Sequence, residues 1–448
     1  MNREVNVEQY ADGPECSAAI QAVIDSLVVP SQTTPSYFGG TVRFGPGVYR
    51  LGKPLRIGSN LRLLGAGQEL TILKSVSETA SSPIDCVLHL AGPSAMEGTA
   101  GHEQLGGENR ALEIAYLQIH GRETTYYDLD TTDKLPLHLQ DGTLEYGMTE
   151  YGIYGNLVIE SSFHDILIYR CRQGYHSESY TWQAIFARCR VDLCHIGFWF
   201  NLGTSTTMLS CYTSNFRDVG FSLRNLIYSS LSSCACDGGG NLEYFPSAFK
   251  TDSSTGYVYV YPCVAYHIYH CRGVTLSACG TEEINNGTNF FVDGSKGCTI
   301  QNCACIDMHS NYDARRFDSN GSPTIRAPRW QVTVLSGVDR NKYNGGCISG
   351  FLILDSGNVS PGRLYRESEY CKIENCMFNV DLDSAKNPLY RYYVVGRMID
   401  YRNNYFYIHD ASHHYDPDNS ISDWGWVGDN THEPAKIAPD DQGNYPAE

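Results

Sequence analysis

Five cysteines recur at a near-constant spacing, and several acidic residues stand at the same distance after them in the sequence. They are Cys189, Cys211, Cys234, Cys279 and Cys303, and only the interval from Cys234 to Cys279 is about twice as long as the others. Three positions after each of them come, in order, Asp192, Ser214, Asp237, Glu282 and Ile306. A pair of carboxyl groups is the machinery of glycoside hydrolysis, with one as general acid and the other as base or nucleophile. The spacing therefore indicates an acid–base site, provided that the fold brings these positions together.

The interval itself predicts that fold. A repeat of about two dozen residues is typical of a solenoid in which each repeat forms one coil. Short β-branched and aromatic runs alternate with Gly, Asn, Asp and Ser, and the regular leucines of a leucine-rich repeat are missing. We predict an all-β, right-handed parallel β-helix in which equivalent positions of neighbouring coils lie about 4.8 Å apart. The five cysteines would then form one buried, inward-facing column.

The long interval equals one coil plus an insertion, which we place at about residues 238–262. Asp237 and Glu282 would then lie on adjacent coils, close enough for repulsion between like charges to keep one of them protonated. We predict this pair as the catalytic residues, with Glu283 and Asp192 as alternative carboxylates. The competing interpretation is a polar column at a coil corner, where Asp and Glu accept hydrogen bonds from turn amides.

Aromatic and polar residues near the acidic pair are candidates for contact with a sugar. The insertion is rich in tyrosine, and a loop of that composition suits the wall of a sugar cleft. Two further polar residues stand near the same predicted edge. The predicted substrate-binding residues are Tyr244, Tyr257, Tyr259, Tyr261, His195 and Asp307.

The remainder of the chain is predicted to fall into three parts. Residues 1–38 contain a short capping helix, because Ile20, Val23, Ile24 and Leu27 have the spacing of one buried helix face. Residues 39–412 form the β-helix, interrupted by excursions at 122–148 and 308–345. Residues 413–448 form a polar C-terminal tail, which reads as an extended segment or a strap for subunit docking.

Composition excludes several classes of function. The formal net charge of −17 argues against binding to nucleic acid or anionic membranes. No apolar run is long enough to span a membrane, and the first residues lack the apolar core of a signal peptide. The 17 cysteines do not have the spacing of zinc sites. We therefore expect reduced, buried cysteines and no metal or other cofactor.

Two segments resemble known proteins. The opening, from Asp12-Gly-Pro-Glu-Cys to Gly39-Gly-Thr-Val-Arg-Phe-Gly-Pro-Gly-Val-Tyr, resembles the start of pectate-lyase-like β-helix proteins. The central stretch, with Gly203-Thr-Ser-Thr-Thr-Met-Leu-Ser-Cys, Tyr228-Ser-Ser-Leu-Ser-Ser-Cys and Ala278-Cys-Gly-Thr-Glu, is similar to bacteriophage tailspike and tail-fibre proteins. Together the segments cover roughly residues 10–60 and 185–305. The resemblance implies a homotrimer in a virion tail, or released from it, that grips or depolymerises a cell-surface polysaccharide.

Three functions remain open on the sequence alone. A glycoside hydrolase of tailspike type is our first prediction. A non-catalytic glycan-binding adhesin or structural tail protein is the second. A polysaccharide lyase is the third and ranks lower, because a protein of net charge −17 repels the anionic uronate chains that lyases cleave.

Overall fold

The computed structural model describes most of the chain in two compact units, Met1–Ser214 (unit 1) and Asn215–Glu448 (unit 2). The residues described are 3–29, 37–76, 84–91, 108–121, 148–240, 249–251, 258–260, 263–282, 284, 287–308, 348–354, 368–382, 390–394, 400–410 and 425–429. The predicted excursions fall almost entirely outside these residues. The predicted boundaries between the three parts of the chain stay predictions.

Unit 1 consists mainly of short strands. It also holds a 3₁₀-helix, Glu8–Tyr10, and the helix α1, Ser17–Asp25. The strands are β1 Glu4–Asn6, β2 Val28–Val29, β3 Tyr37–Phe38, β4 Gly40–Arg43, β5 Gly47–Leu51, β6 Leu55–Ile57, β7 Leu61–Leu64, β8 Thr71–Ser75, β9 Cys86–Leu90, β10 Glu108–Arg110, β11 Glu113–His120, β12 Thr149–Ile159, β13 Ser162–Tyr169, β14 Cys171–Trp182, β15 Ile185–Ala187, β16 Arg190–Asp192, β17 Ile196–Phe200, β18 Gly203–Thr204, β19 Thr207–Leu209 and β20 Tyr212–Ser214.

Unit 2 also consists of short strands. Its strands are β21 Val219–Arg224, β22 Leu226–Ile227, β23 Ser230–Ser232, β24 Ala235–Asp237, β25 Phe249–Thr251, β26 Val258–Val260, β27 Cys263–Tyr269, β28 Thr275–Ser277, β29 Gly280–Glu282, β30 Gly287–Asp293, β31 Thr299–Gln301, β32 Ala304–Met308, β33 Ile348–Leu354, β34 Lys372–Glu374, β35 Met377–Leu382, β36 Tyr390–Val394, β37 Asp400–Arg402, β38 Tyr405–Asp410 and β39 Gly425–Asp429.

Each unit builds three parallel sheets, to which successive strands contribute in turn. In unit 1, sheet 1 includes β15 and β19, sheet 2 includes β16 and β20, and sheet 3 includes β14 and β17. The long strands β11 and β13 serve sheets 1 and 2 together. In unit 2, sheet 1 runs β23–β28–β31–β34–β37, sheet 2 runs β24–β29–β32–β35–β38, and sheet 3 runs β21–β27–β30–β33–β36. Parallel strands linked this way cross over with a right hand, so the predicted right-handed parallel β-helix is confirmed.

Among the described strands, three pairings depart from the parallel rule. In unit 1, β2 and β3 pair antiparallel. β25 and β26 form an antiparallel hairpin inside the predicted insertion. β39 pairs antiparallel with β38. The sequence predicted no particular strand in the C-terminal tail, because a stretch rich in polar residues carries little period-two signal.

The corner between sheets 1 and 2 explains the cysteine column. In the coils that carry these cysteines it is one residue in the left-handed region, as at Arg188 (φ 52°) in unit 1 and Ala278 (φ 51°) in unit 2. The Ala278 amide donates to the carbonyl of Gln301 in the next coil at 3.1 Å, which offsets the cost of that conformation. The chain turns sharply here, so the following side chain points inward where little room remains.

Small, polarisable thiols fill that position, in keeping with the behaviour of buried cysteine. Cys189 and Cys211 follow this corner in unit 1, and Cys234, Cys279, Cys303 and Cys376 follow it in unit 2. All of these side chains are buried. Every cysteine in the described residues is a free thiol. Within each unit the predicted inward column is therefore confirmed.

The predicted helix is also confirmed. α1 buries Ile20 and Ile24, and Leu27 is buried just beyond it. The Gln21 side chain accepts a hydrogen bond from the Arg56 amide at 2.8 Å and donates to the Arg56 carbonyl at 3.1 Å, which ties the helix to β6. No helix in the described part of the chain is long and apolar enough to cross a membrane.

A buried histidine in unit 2 makes stability depend on pH. His267 lies on β27, only 4% exposed, with its ring stacked on Phe291 at 4.8 Å. Burial, with smaller contributions from the nearby Arg224 and His270, lowers the pKa of His267 to about 3. An unfolded histidine titrates near 6.5, so below that pH the unfolded chain takes up a proton that the folded chain refuses. Stability is therefore full above pH 6.5 and is lost as the pH falls towards 3.

We expect this residue alone to cost about 2 kcal/mol of unfolding free energy between pH 7 and pH 5, at about 1.4 kcal/mol per pH unit below the unfolded pKa. Urea unfolding at pH 7 and pH 5 measures the loss. His267→Gln is the control, since it cannot take up a proton and should show a loss smaller by about that amount. Equal losses in the two proteins would contradict the assignment.

Candidate active site

Asp237 and Glu282 end neighbouring strands of sheet 2 in unit 2. β24 pairs with β29 in parallel, with Asp237 directly opposite Glu282. Paired Cα atoms on neighbouring strands lie about 5 Å apart, which suits the separation of about 5 to 9.5 Å between the two carboxyl groups of glycosidases. Asp237 is half-buried and Glu282 is exposed. The predicted juxtaposition of these residues is confirmed, and their catalytic role stays a prediction.

The backbone beyond Asp237 is held firmly. The amide of Asn215 donates to the Asp237 carbonyl at 2.8 Å, and the amide of Gly238 donates to the Glu282 carbonyl at 3.1 Å. Gly238 adopts φ +60°, and a Cβ there would lie 2.7 Å from Oδ1 of Asn215. Only glycine satisfies both conditions at low cost. The corner after Asp237 is therefore fixed, as a site with two cooperating side chains requires.

The next coil differs in chemistry. Ile306 on β32 pairs with Glu282, so the acidic column of unit 2 changes to an apolar residue there. Asp307 follows one position later on the same strand, and its side chain lies outside the described residues. Glu283 lies entirely outside the described residues. Their proposed roles as alternative carboxylate and substrate contact are untested.

The structure describes only part of the predicted insertion at about residues 238–262. It contains the hairpin β25–β26, in which Tyr259 pairs with Lys250. Tyr244, Tyr257 and Tyr261 lie outside the described residues, as does the side chain of Tyr259. The tyrosine-lined wall therefore stays a prediction.

Asp192 occupies the corresponding strand end in unit 1, but its environment is that of an ion pair. Arg190, two residues earlier on the same strand face, donates to an Asp192 carboxylate oxygen at 3.2 Å and to the Ser214 hydroxyl at 3.3 Å. His195 is only 5% exposed, which leaves it little surface for a sugar. Both positions suit a structural role better than a catalytic one.

A second group of charges in unit 1 is also structural. Arg62 pairs with Glu113 at 2.6 Å, and Arg188 pairs with Asp165 at 2.6 Å. The hydrogen bond from Arg62 holds the pKa of Glu113 below its usual range, and Arg188 does the same for the pKa of Asp165. A general acid needs a raised pKa, so these carboxyls do not suit that role. Among the described residues, no three His, Cys, Asp or Glu side chains are grouped to hold a metal ion.

Sequence reasoning missed an aromatic ladder on sheet 3 of unit 1. Tyr154, His176 and Trp199 occupy paired positions on β12, β14 and β17. Their rings lie nearly parallel, with centroids 5.6 and 5.9 Å apart. The two ring nitrogens of His176 lie 2.7 Å from Oε1 of Gln173 and 2.6 Å from Oε2 of Glu178.

The period of the cysteine column could have revealed this ladder. The two steps from Tyr154 to His176 and on to Trp199 are the same length as those from Cys189 to Cys211 and on to Cys234. Equivalent positions of a solenoid repeat at the period of its coils. The same spacing, applied to aromatic residues, therefore predicts a stacked column of rings.

Comparisons with known proteins concern the fold. No protein-family model matches the sequence, and no curated protein matches it either. The gp42 tailspike of Acinetobacter phage vb_AbaP_AS12 is 14% identical over 97% of this chain and 67% of its own, with a TM-score of 0.48. ORF18 of Geobacillus virus E2 is 13% identical over 90% of this chain and 60% of its own, with a TM-score of 0.43.

An enzyme also appears among the similar structures. The A-module of the mannuronan C-5 epimerase AlgE4 of Azotobacter vinelandii is 13% identical over 90% of this chain and 92% of its own, with a TM-score of 0.42. The chain thus spans about two thirds of the tailspike's length and less of ORF18. At such identities the similarity is one of fold and says nothing of substrate. The chain is a parallel β-helix protein.

Proposed function

We propose that the protein binds a polysaccharide and hydrolyses its glycosidic bonds with Asp237 and Glu282. The observation that carries the proposal is the direct pairing of these two residues at the ends of adjacent strands. One carboxyl protonates the leaving oxygen, and the other activates water or attacks the sugar directly.

Glycan hydrolysis has a direct assay. Incubation with bacterial surface polysaccharides should release new reducing ends. Binding without new ends would favour the adhesin, in which the same surface grips a chain and never cuts it. Products that absorb as unsaturated uronates would identify a lyase instead.

The sequence resemblance also bears on where the protein acts and how it assembles. It supports a tailspike on a virion, or released from it, that acts on a cell-surface polysaccharide as a homotrimer. An open sheet edge in a β-helix favours association, because its unpaired backbone N–H and C=O groups can hydrogen-bond to another chain. We expect a trimeric mass by light scattering at micromolar concentration, and a monomeric mass would contradict this part of the proposal.

A further inference from the structure

Two tyrosines of unit 2 stand out by their exposure. Among the large hydrophobic side chains in the described residues, Tyr228 and Tyr370 are the most exposed, at 76% and 62%. They lie far apart in the sequence. A single exposed aromatic needs no explanation. Two of them brought together by the fold would form a surface feature.

The fold does bring them into one column. Parallel bridges join Ile227 to Arg272, Arg272 to Lys296 and Lys296 to Glu369. The residues that follow these four, and therefore occupy one column over four successive coils, are Tyr228, Gly273, Gly297 and Tyr370. The amide of Tyr228 donates to the Arg272 carbonyl at 2.9 Å, and those of Gly273 and Gly297 continue the same ladder. Three steps of about 4.8 Å place the two tyrosines about 14 Å apart along the column.

Two glycines form the floor between the tyrosines. The Tyr228 ring reaches over Gly273, where an added Cβ would lie 3.1 Å from a ring carbon. Among the described residues, the nearest atom to a Cβ added at Gly297 is the Gly273 nitrogen at 4.0 Å. Within these residues the column is a shallow trough of bare backbone with an aromatic ring at each end.

The tyrosines do not serve the fold at these positions. All four residues of the column have φ between 49° and 62°, a region in which a bulky residue is strained and glycine or asparagine is at ease. Tyr228 and Tyr370 bury little of their side chains in return. A strained, exposed aromatic that gains no burial is an indication of function.

The flanks of the trough favour a sugar over a protein surface. The residues just before the column include Arg272, Lys296 and Glu369, and Lys296 pairs with Glu369 at 2.7 Å. Charged residues are depleted from the cores of protein–protein interfaces. Aromatic rings with a few polar groups beside them are the usual lining of small-molecule sites. A sugar ring fits this pattern, since it offers an apolar face to tyrosine and hydroxyl groups to the charged flanks.

We propose that the trough from Tyr228 to Tyr370 is a glycan-binding surface, in which a segment of polysaccharide lies along the column with sugar rings stacked on the two tyrosines. The trough holds and orients the chain and does no chemistry of its own. It rests on the proposed function for the class of ligand, and adds to it a binding surface separate from Asp237 and Glu282.

The test replaces both tyrosines by asparagine, Tyr228→Asn with Tyr370→Asn. Asparagine already stands in the left-handed region at Asn302, Asn375 and Asn403, so the unfolding midpoint should be unchanged or higher. Binding to an array of bacterial surface polysaccharides should weaken about tenfold or more, because two sugar rings lose the aromatic faces on which they stack.

Two control proteins accompany this variant. Tyr228→Phe with Tyr370→Phe keeps both rings and should bind nearly as wild type. Leu209→Asn removes an exposed apolar side chain of unit 1 and should have no effect on binding. The controls therefore separate the loss of the tyrosine rings from a general loss of exposed apolar surface.

The outcomes separate this proposal from the hydrolase proposal. Unchanged binding in the asparagine variant, or no binding by the wild-type protein to any glycan on the array, would overturn the trough. A lower unfolding midpoint would overturn it too, by showing the tyrosines to be structural, and a change of oligomeric mass would assign them to a subunit contact instead. Weaker binding in the asparagine variant together with full hydrolysis by Asp237→Asn and Glu282→Gln would keep the trough and refute the proposed catalytic pair.

Discussion

Asp237→Asn and Glu282→Gln are each expected to lower glycan hydrolysis by about 10²–10⁴-fold, the usual contribution of a general acid or base. Each change removes a proton-transfer group while keeping nearly the same shape. Because Glu282 is exposed and Asp237 only half-buried, neither change leaves a cavity, and the unfolding midpoint should stay close to that of the wild type. The measurement is the rate of release of reducing ends, with affinity for the uncut glycan measured in parallel.

The pH dependence of the same assay adds a second readout. A pair in which one carboxyl must be protonated and the other ionised gives a bell-shaped profile of rate against pH. Loss of either member should remove one limb of the bell. Such a profile would be assigned to the pair as a whole, because interacting acid and base groups have macroscopic pKa values.

Asp192→Asn is the matched control for these variants. It removes a carboxylate from the equivalent strand end of unit 1, where Arg190 is its partner. Hydrolysis should survive this change. If Asp192→Asn abolished activity while Asp237→Asn and Glu282→Gln left it intact, the chemistry would belong to Asp192. Full activity in all three variants would direct attention to Glu283 and Asp307.

The pairing of Asp237 with Glu282 could be predicted because the period is rigid. Each coil must return to the same corner, so an insertion between Cys234 and Cys279 lengthens the interval without moving either cysteine out of the column. Asp237 and Glu282 keep the same offset from those two cysteines and therefore meet on adjacent strands.

The column of residues that forms the trough follows the same rigid period. Tyr228, Gly273, Gly297 and Tyr370 follow one another at the same three intervals as Cys234, Cys279, Cys303 and Cys376, because each stands six positions before its cysteine. The cysteine spacing therefore predicts this column as well, although it gives no sign that the two tyrosines are exposed.

The period of the repeat does not predict which side chains contact each other. Spacing places Asp192 at a strand end, but it does not show that Arg190 turns towards it. The alternation of a strand puts these two on the same face, which gives a clue to the contact without its geometry. Burial of His195 was hidden for the same reason, because the residue stands at a corner where no alternation decides which way the side chain points.

Tyr266 is a large core residue of unit 2 whose loss should strongly lower the stability of the fold. Its ring stacks between Phe221 and Phe290 in unit 2, with both centroid separations at 5.1 Å. Its side chain is fully buried. Its hydroxyl lies 2.8 Å from the Cys234 carbonyl and 3.0 Å from the Gly280 carbonyl, as donor to either. Cys234 directly precedes β24, and Gly280 begins β29, so one hydroxyl ties together the two strands that carry the predicted catalytic pair.

Tyr266→Ala should therefore lower the unfolding free energy by about 3–5 kcal/mol, as for other buried aromatics cut back to alanine. Tyr266→Phe keeps the stack and loses only the hydroxyl, at a cost of about 1 kcal/mol. Guanidinium unfolding measures both. Equal stability of Tyr266→Ala and the wild type would show that the stack is not part of the core.

The phenylalanine variant also tests the link between the core and the site. Without the Tyr266 hydroxyl, no side chain bonds to both β24 and β29 at this point, and the two carboxyl groups would be held less accurately. Tyr266→Phe should therefore reduce the rate of hydrolysis. Glycan affinity at the exposed tyrosines should be unchanged. The rate of release of reducing ends and the affinity for uncut glycan are measured on the same protein. An unchanged rate in Tyr266→Phe would show that the hydroxyl holds the fold without positioning Asp237 and Glu282.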